Sequence, residues 1–336
     1  MPASLFEVDV LLGADEARGI LARDVRAALA ARPRELPCKY FYDERGGKLF
    51  ERITELPEYD LTRNEEALLR RHAPAIAERT QLVELLELGA GSSRKTRLLI
   101  EAGRAARTLQ RYVPFDVSWS ALERSGQDLA RLYPGLEVHA VVGDYDRHLG
   151  RLPRSRARLV AFLGSTVGNF AGPAAVGFLR RVAALLEADG WLLLGTDLVK
   201  PRAELEAAYD DAAGLTAAFN RNILTVINRE LGADFVPDAF EHVARYDERA
   251  GWVEMNLRST RAQRVRIGAL GLELEFAAGE LLRTEVSCKY TRPAVEALLA
   301  QAGFALERWM TDPAERYALS LARLSAGGPG PGAPRS

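Results

Sequence analysis

From about residue 81 to 200, short apolar runs alternate with longer amphipathic ones. That is the pattern of βα units stacked into a parallel sheet. Strands are predicted over 82–88, 112–115, 137–142, 158–163 and 191–194. Each run breaks into small or polar residues: Gly89-Ala90-Gly91, Asp116, Gly143-Asp144, Gly164-Ser165-Thr166 and Gly195-Thr196-Asp197. Ligands of open α/β sheets collect at the carboxyl ends of the strands, so binding groups are expected at these breaks.

After Lys200 the alternation stops. Pro201 can open a helix that carries Leu205, Tyr209 and Ala212 as far as Gly214, and a second helix over 215–231 ends at Gly232. Hairpin-like runs follow over 252–257, 263–270 and 272–276, then a strand over 284–290. The pattern predicts an α/β core, residues 64–200 plus 291–324, and a smaller inserted α+β substrate-binding domain, residues 1–63 plus 201–290. The Gly- and Pro-rich tail, 325–336, is expected to be disordered.

Composition narrows the functions. A net charge of −1 over 336 residues argues against a nucleic-acid partner and suits a small neutral or zwitterionic substrate. Cys38 and Cys288 are too few for a disulfide framework, and the four histidines lack metal-ligand spacing, so no metal is expected. His139 falls within the third strand and His148 after it, while His72 and His242 read as helical. Neither a secretory leader nor a bilayer-length apolar run is visible, so no membrane association is expected. A monomeric cytoplasmic protein is the expectation.

The strongest local signal is Glu87-Leu88-Gly89-Ala90-Gly91, directly after an apolar run. Closely spaced glycines after a strand let backbone amides approach a nucleoside-like ligand. A third glycine in the dinucleotide spacing would fall at Arg94, so the motif resembles the first motif of S-adenosylmethionine-dependent methyltransferases instead. Asp116 can accept both hydroxyls of a ribose, and Asp144 the adenine amino group, with the Tyr145 ring against the base. Helix N-capping is the competing role for each acid. Lys95, after the turn, is either a cofactor contact or a solvated helix residue. Asn169 follows the fourth strand, where an amide can both accept from an amine and donate to a carboxylate; a turn role competes. Alternation along Thr284-Glu285-Val286-Ser287 puts Glu285 and Ser287 on one face, a pair suited to an imidazole. Tyr59 and Tyr209 can be pocket or packing tyrosines.

Further segments make a more specific resemblance. Tyr40-Phe41-Tyr42-Asp43, Leu56-Pro57-Glu58-Tyr59, Phe162-Leu163-Gly164-Ser165-Thr166-Val167-Gly168-Asn169, Gly195-Thr196-Asp197-Leu198-Val199-Lys200 and Thr284-Glu285-Val286-Ser287-Cys288-Lys289 are similar, in order and spacing, to the motifs of the histidine N-alpha-methyltransferases of ergothioneine biosynthesis. The likeness runs over about 36–321. It implies a class I methyltransferase, Rossmann-like sheet and trimethylation of the α-amine of L-histidine to hercynine by S-adenosylmethionine. Carried over by position, Tyr42, Gly89, Lys95, Asp116, Asp144 and Tyr145 match cofactor residues. Tyr59, Gly164, Asn169, Tyr209, Met255, Glu285 and Ser287 match the substrate pocket, with Asn169 and Tyr209 holding the reacting nitrogen. Tyr145 departs from the phenylalanine expected there. The rival readings are an N-methyltransferase acting on another amino acid or small amine, and a non-catalytic binding module on the same fold.

Overall fold

The computed structural model describes residues 6–325. In chain order its strands are β1 (Phe6–Val10), β2 (Glu84–Leu88), β3 (Arg111–Asp116), β4 (Glu137–Val142), β5 (Arg158–Phe162), β6 (Trp191–Asp197), β7 (Phe240–Asp247), β8 (Trp252–Ser259), β9 (Gln263–Ile267), β10 (Leu272–Phe276), β11 (Leu281–Cys288), β12 (Phe304–Thr311) and β13 (Tyr317–Leu324). The chain divides into two compact units. The first comprises 6–12, 63–199 and the chain from Tyr290 onward; the second comprises 13–62 and 200–289.

The first unit is built on an eight-stranded sheet of order β1-β4-β3-β2-β5-β6-β13-β12. Its first six strands in that order are parallel, and β13 and β12 are antiparallel additions. Every residue of β2, β5 and β6 is buried, which is why these strands read as continuous apolar runs rather than alternating ones. Helices such as Trp119–Leu132 and Pro173–Ala183 bury Leu122, Leu129, Phe178 and Leu179. The chain winds outward from β2 to β4 and returns to β5 on the other side of β2. Their carboxyl ends therefore flank the topological switch point, the usual ligand crevice of such sheets. This is the mostly parallel α/β sheet that the βα alternation predicts, in the form that the resemblance implies.

The N-terminal segment corrects the expected division. The sequence pattern places residues 1–63 in the substrate-binding domain, but Phe6–Val10 is the edge strand of the core sheet, paired in parallel with β4. Phe6 and Val8 pack against Leu122, Ala140 and Val142, so their apolar surface is buried in the first unit. Of the tail assigned to 325–336, Ser325 donates its N–H to Gly303 O at 2.9 Å; residues 326–336 lie outside the described residues.

The second unit holds a three-stranded antiparallel sheet, β11-β8-β7, and the β9–β10 hairpin. Helix Leu215–Leu231 buries Phe219, Ile223, Val226 and Ile227. Asp211 opens it by accepting the N–H groups of Leu215 (2.9 Å) and Thr216 (2.7 Å), and Gly232, at φ 60°, closes it. Two expectations change here. The preceding helix, Arg202–Tyr209, stops short of Ala212. His242 lies on β7, not in a helix, because the segment pairs with β8 along its whole length.

Candidate cofactor and substrate sites

In the first unit, Gly89 and Gly91 both take positive φ (72° and 51°), conformations that other residues adopt at a cost. A Cβ at either position would meet nothing within 4 Å, so the turn presents bare backbone. The turn is tied to Asp116 at the end of β3. One carboxylate oxygen accepts from Gly91 N at 3.0 Å and the other from Ser118 N at 2.9 Å. A carboxylate has about four acceptor positions, so these bonds leave it room to accept from a ribose hydroxyl. Burial pushes the Asp116 carboxyl up, opposed by those backbone bonds.

Glu87, the acid before the turn, does not line this surface. It is buried, and Thr96 and Tyr112 donate to its two oxygens. Tyr112 Oη also lies 2.8 Å from Ser93 Oγ, so Glu87 anchors the far side of the turn. Burial pushes its carboxyl up to about 7.

Asp144 takes the capping role weighed from sequence: one oxygen caps the short helix after β4, accepting Asp146 N at 2.9 Å. The half-buried Tyr145 ring stands among Phe162, Phe170 and Phe178, with centroids 5.4 to 6.1 Å away. Lys95 is ion-paired with Glu65, a residue the sequence did not single out. Glu65 is fully buried; its other oxygen accepts Gly164 N at 2.7 Å and Tyr317 Oη at 2.6 Å. One carboxylate thus joins the expected cofactor lysine to the expected substrate-pocket glycine. A Cβ on Gly195 would collide with this Glu65 oxygen and with Tyr317 Oη, so the strand end admits no side chain there. Asn169 ends the 3-10 turn Thr166–Asn169; it is half-buried, and its amide makes no hydrogen bond among the described residues.

The remaining expected residues belong to the second unit. The rings of Tyr42, Phe50 and Phe219 meet at 5.4 to 5.8 Å, and Phe50, Tyr59 and Tyr209 continue the chain at 6.2 Å. Tyr42 is held by the turn that ends in Asp43, which caps helix Glu44–Ile53 and pairs with Arg229 at 2.8 Å. A Cβ on Gly46 would strike the Phe41 carbonyl, so this turn requires glycine.

Strand β11 carries Glu285 and Ser287 on one face, as alternation predicts; a bulge at 283–285 precedes them without reversing them. Met255 lies directly opposite Glu285 on β8, so its side chain joins the same face. Tyr209 Oη donates to Ser287 Oγ at 2.8 Å. Lys289, the next residue on that face, donates to both hydroxyls, at 2.8 and 2.9 Å. Behind Tyr209, His242 Nε2 lies 2.7 Å from its carbonyl and His242 Nδ1 lies 2.8 Å from Asn220 Nδ2. The amide can only donate at that contact, so Nδ1 accepts and Nε2 carries the proton; burial holds this imidazole below its usual pKa. Glu285 is half-buried and makes no hydrogen bond among the described residues, and burial pushes its carboxyl up to about 7 against the pull of Lys289.

A family model described as histidine-specific, S-adenosylmethionine-dependent methyltransferase matches residues 21–324. The chain belongs to this family. It is 51% identical over 311 residues to the histidine N-alpha-methyltransferase of Mycolicibacterium smegmatis, covering 93% of this chain and 97% of that relative. The protein of the same name from Mycobacterium tuberculosis is 49% identical over equal shares. Among solved structures, the chain is similar to an S-adenosylmethionine-dependent methyltransferase from Clostridium acetobutylicum, with a TM-score of 0.48 and 12% identity over 83% of this chain and 99% of that one.

The donor set of this histidine-specific methyltransferase fits S-adenosylmethionine. Bare glycine backbone, a carboxylate with spare acceptor positions at Asp116 and a second acid at Asp144 suit a nucleoside. The sequence does not single out Glu65, and it shows Lys289 only as the end of a motif, without a role. Glu65 is 30 residues from Lys95 and 252 from Tyr317, beyond any local pattern. Lys289 continues the alternation of Glu285 and Ser287, and that signal would have found it.

Proposed function

We propose that this methyltransferase transfers three methyl groups from S-adenosylmethionine to the α-amino group of L-histidine, giving hercynine, the first step of ergothioneine biosynthesis. The observation that carries the substrate is the β11 face. A carboxylate without a hydrogen-bond partner among the described residues stands two positions from a serine hydroxyl, beside Met255. An imidazole needs such a pairing, an acceptor for its N–H and a hydroxyl for its other nitrogen.

When bound, S-adenosylmethionine supplies an electrophilic methyl group on a sulfonium. The chain's own task is to hold the nitrogen in line with that methyl carbon at near-attack distance. In this reading Gly89, Asp116, Asp144 and Tyr145 hold the nucleoside, Lys95 the cofactor's carboxylate end, and Tyr42 lends an aromatic face. Asn169 and Tyr209 hold the amine, with Tyr59 beside Tyr209. The nitrogen must be neutral to attack, and removal from bulk water lowers an amine's pKa in that direction. Gly164, with no side chain, leaves room for accumulating methyls.

Incubating the protein with S-adenosylmethionine and all the common amino acids, followed by mass spectrometry, tests the reading. Histidine is expected to gain three methyl groups; gain on another amino acid instead overturns the substrate. Among the described residues no helix is long and apolar enough to cross a membrane. We further propose a monomeric cytoplasmic enzyme, for which a dimeric mass in solution is the contrary result.

A further inference from the structure

We propose that Glu65 sets the balance between the charged methyl donor and its uncharged product, by fixing one buried negative charge beside the reactive end of the cofactor. The inference rests on reading Lys95 as the holder of the cofactor's carboxylate end and Gly164 as the space for the methyl groups. Glu65 lies on helix Leu61–Thr80 and is fully buried, so it acts on a ligand through its charge rather than by contact. Each of its hydrogen bonds comes from a donor. Lys95 pairs with Oε2, while Gly164 N–H (2.7 Å) and Tyr317 Oη (2.6 Å) donate to Oε1. The Tyr317 oxygen accepts Ser165 N–H at 3.0 Å, so its single proton is the one given to Glu65. Three donors, one of them a cation, suit the ionised carboxylate.

The turn after β5 holds this charge in place. Gly164 and Ser165 both take positive φ, 70° and 56°, and their successive N–H groups meet Glu65 and Tyr317. Alone, Lys95 and Glu65 cancel. Once Lys95 receives the cofactor's carboxylate, one lysine stands between two carboxylates, and the cluster is left with one negative charge in excess. S-adenosylmethionine brings a sulfonium to this end of the site; S-adenosylhomocysteine has lost that charge with the methyl group. In surroundings that screen poorly, the excess charge attracts the first and not the second. With a neutral side chain at position 65, the lysine and the ligand carboxylate would cancel and the sulfonium would lose that attraction.

Calorimetry without histidine isolates the effect, because the two ligands differ only by the methyl group and its charge. In Glu65→Gln the amide oxygen can still accept from Gly164 and Tyr317, but the charge is gone. Affinity for S-adenosylmethionine relative to S-adenosylhomocysteine should fall on the order of tenfold from the wild-type ratio, as for unit charges about 12 Å apart at an effective dielectric of about 20. An unchanged ratio overturns the proposal. Lys95→Gln removes the opposite charge of the same pair, and it serves also should Glu65→Gln not fold. The new amide, Gly164 and Tyr317 still donate to Glu65, so both ligands should bind more weakly while the ratio moves toward S-adenosylmethionine. No shift, or a shift in the same direction as Glu65→Gln, overturns the proposal, since damage to the scaffold carries no sign of charge. Failure of the underlying reading shows separately, as Lys95→Gln binding S-adenosylhomocysteine as tightly as the wild type does.

Discussion

Glu87, behind the glycine turn of the first unit, and Glu285, on the β11 face of the second, both have carboxyls that burial pushes up to about 7. Their surroundings differ. Thr96 and Tyr112 satisfy Glu87 on both oxygens, whereas Glu285 has no hydrogen-bond partner among the described residues. A raised carboxyl pKa therefore does not by itself mark a binding residue. Glu87 holds the scaffold of the glycine turn, whereas the unmet acceptors of Glu285 are what the proposed imidazole contact would use. The contrast extends to the acids at the strand ends, since Asp116 and Asp144 both accept backbone N–H groups.

The largest expected effect would break the comparison outright. Glu87→Ala leaves two buried hydroxyls without their acceptor and should cost about 2 to 6 kcal/mol of stability. Glu285→Ala should leave the melting temperature nearly unchanged; equal losses in thermal melts would place both acids in the scaffold. Next comes pH. The folded-state pKa of Glu87, about 7, lies above the ordinary 4.5, so the native state binds the extra proton between those values. The stabilisation is complete below about 4.5 and is lost as pH rises through about 7. Glu87→Gln stays neutral throughout, so its stability relative to wild type should rise by up to about 3 kcal/mol between pH 5 and pH 8. A difference that does not change with pH would mean that Glu87 is ionised at both. On the ligand side, Glu285→Ala should weaken histidine binding by about 1.5 to 3 kcal/mol, ten- to a hundredfold in KM; an unchanged KM removes the imidazole assignment. Smallest, Asp116→Ala should raise the dissociation constant for S-adenosylmethionine by about tenfold, about 1.4 kcal/mol. Calorimetry showing equal affinity would end the ribose role.

The parallel strands were legible because burial on both faces writes them as unbroken apolar runs, and helix Leu215–Leu231 because its stripe ends at a glycine. Phe6–Val10 was not, since three of its five residues are exposed at the sheet edge and its partner is more than a hundred residues away. Strand β7 escaped for a related reason. Its Phe-Glu-His-Val-Ala-Arg-Tyr-Asp sequence follows no clean alternation, and pairing with β8 decides it. On the β11 face the spacing put Glu285 beside Ser287, but the hydroxyl of Tyr209 reaches Ser287 across 78 residues of sequence, a contact only the folded second unit creates.

The late position of β13 has a consequence for synthesis. This strand lies between β6 and β12, yet it is the last strand among the described residues. While the polypeptide is still leaving the ribosome, β6, buried along its whole length in the finished fold, has no partner on that side. An open apolar edge of this kind invites pairing with a neighbouring chain. The second unit has all its residues once Lys289 has emerged, whereas the sheet waits for Tyr317–Leu324. A nascent chain stopped before Tyr317 should therefore pellet as aggregate even though every residue of the inserted unit has been made.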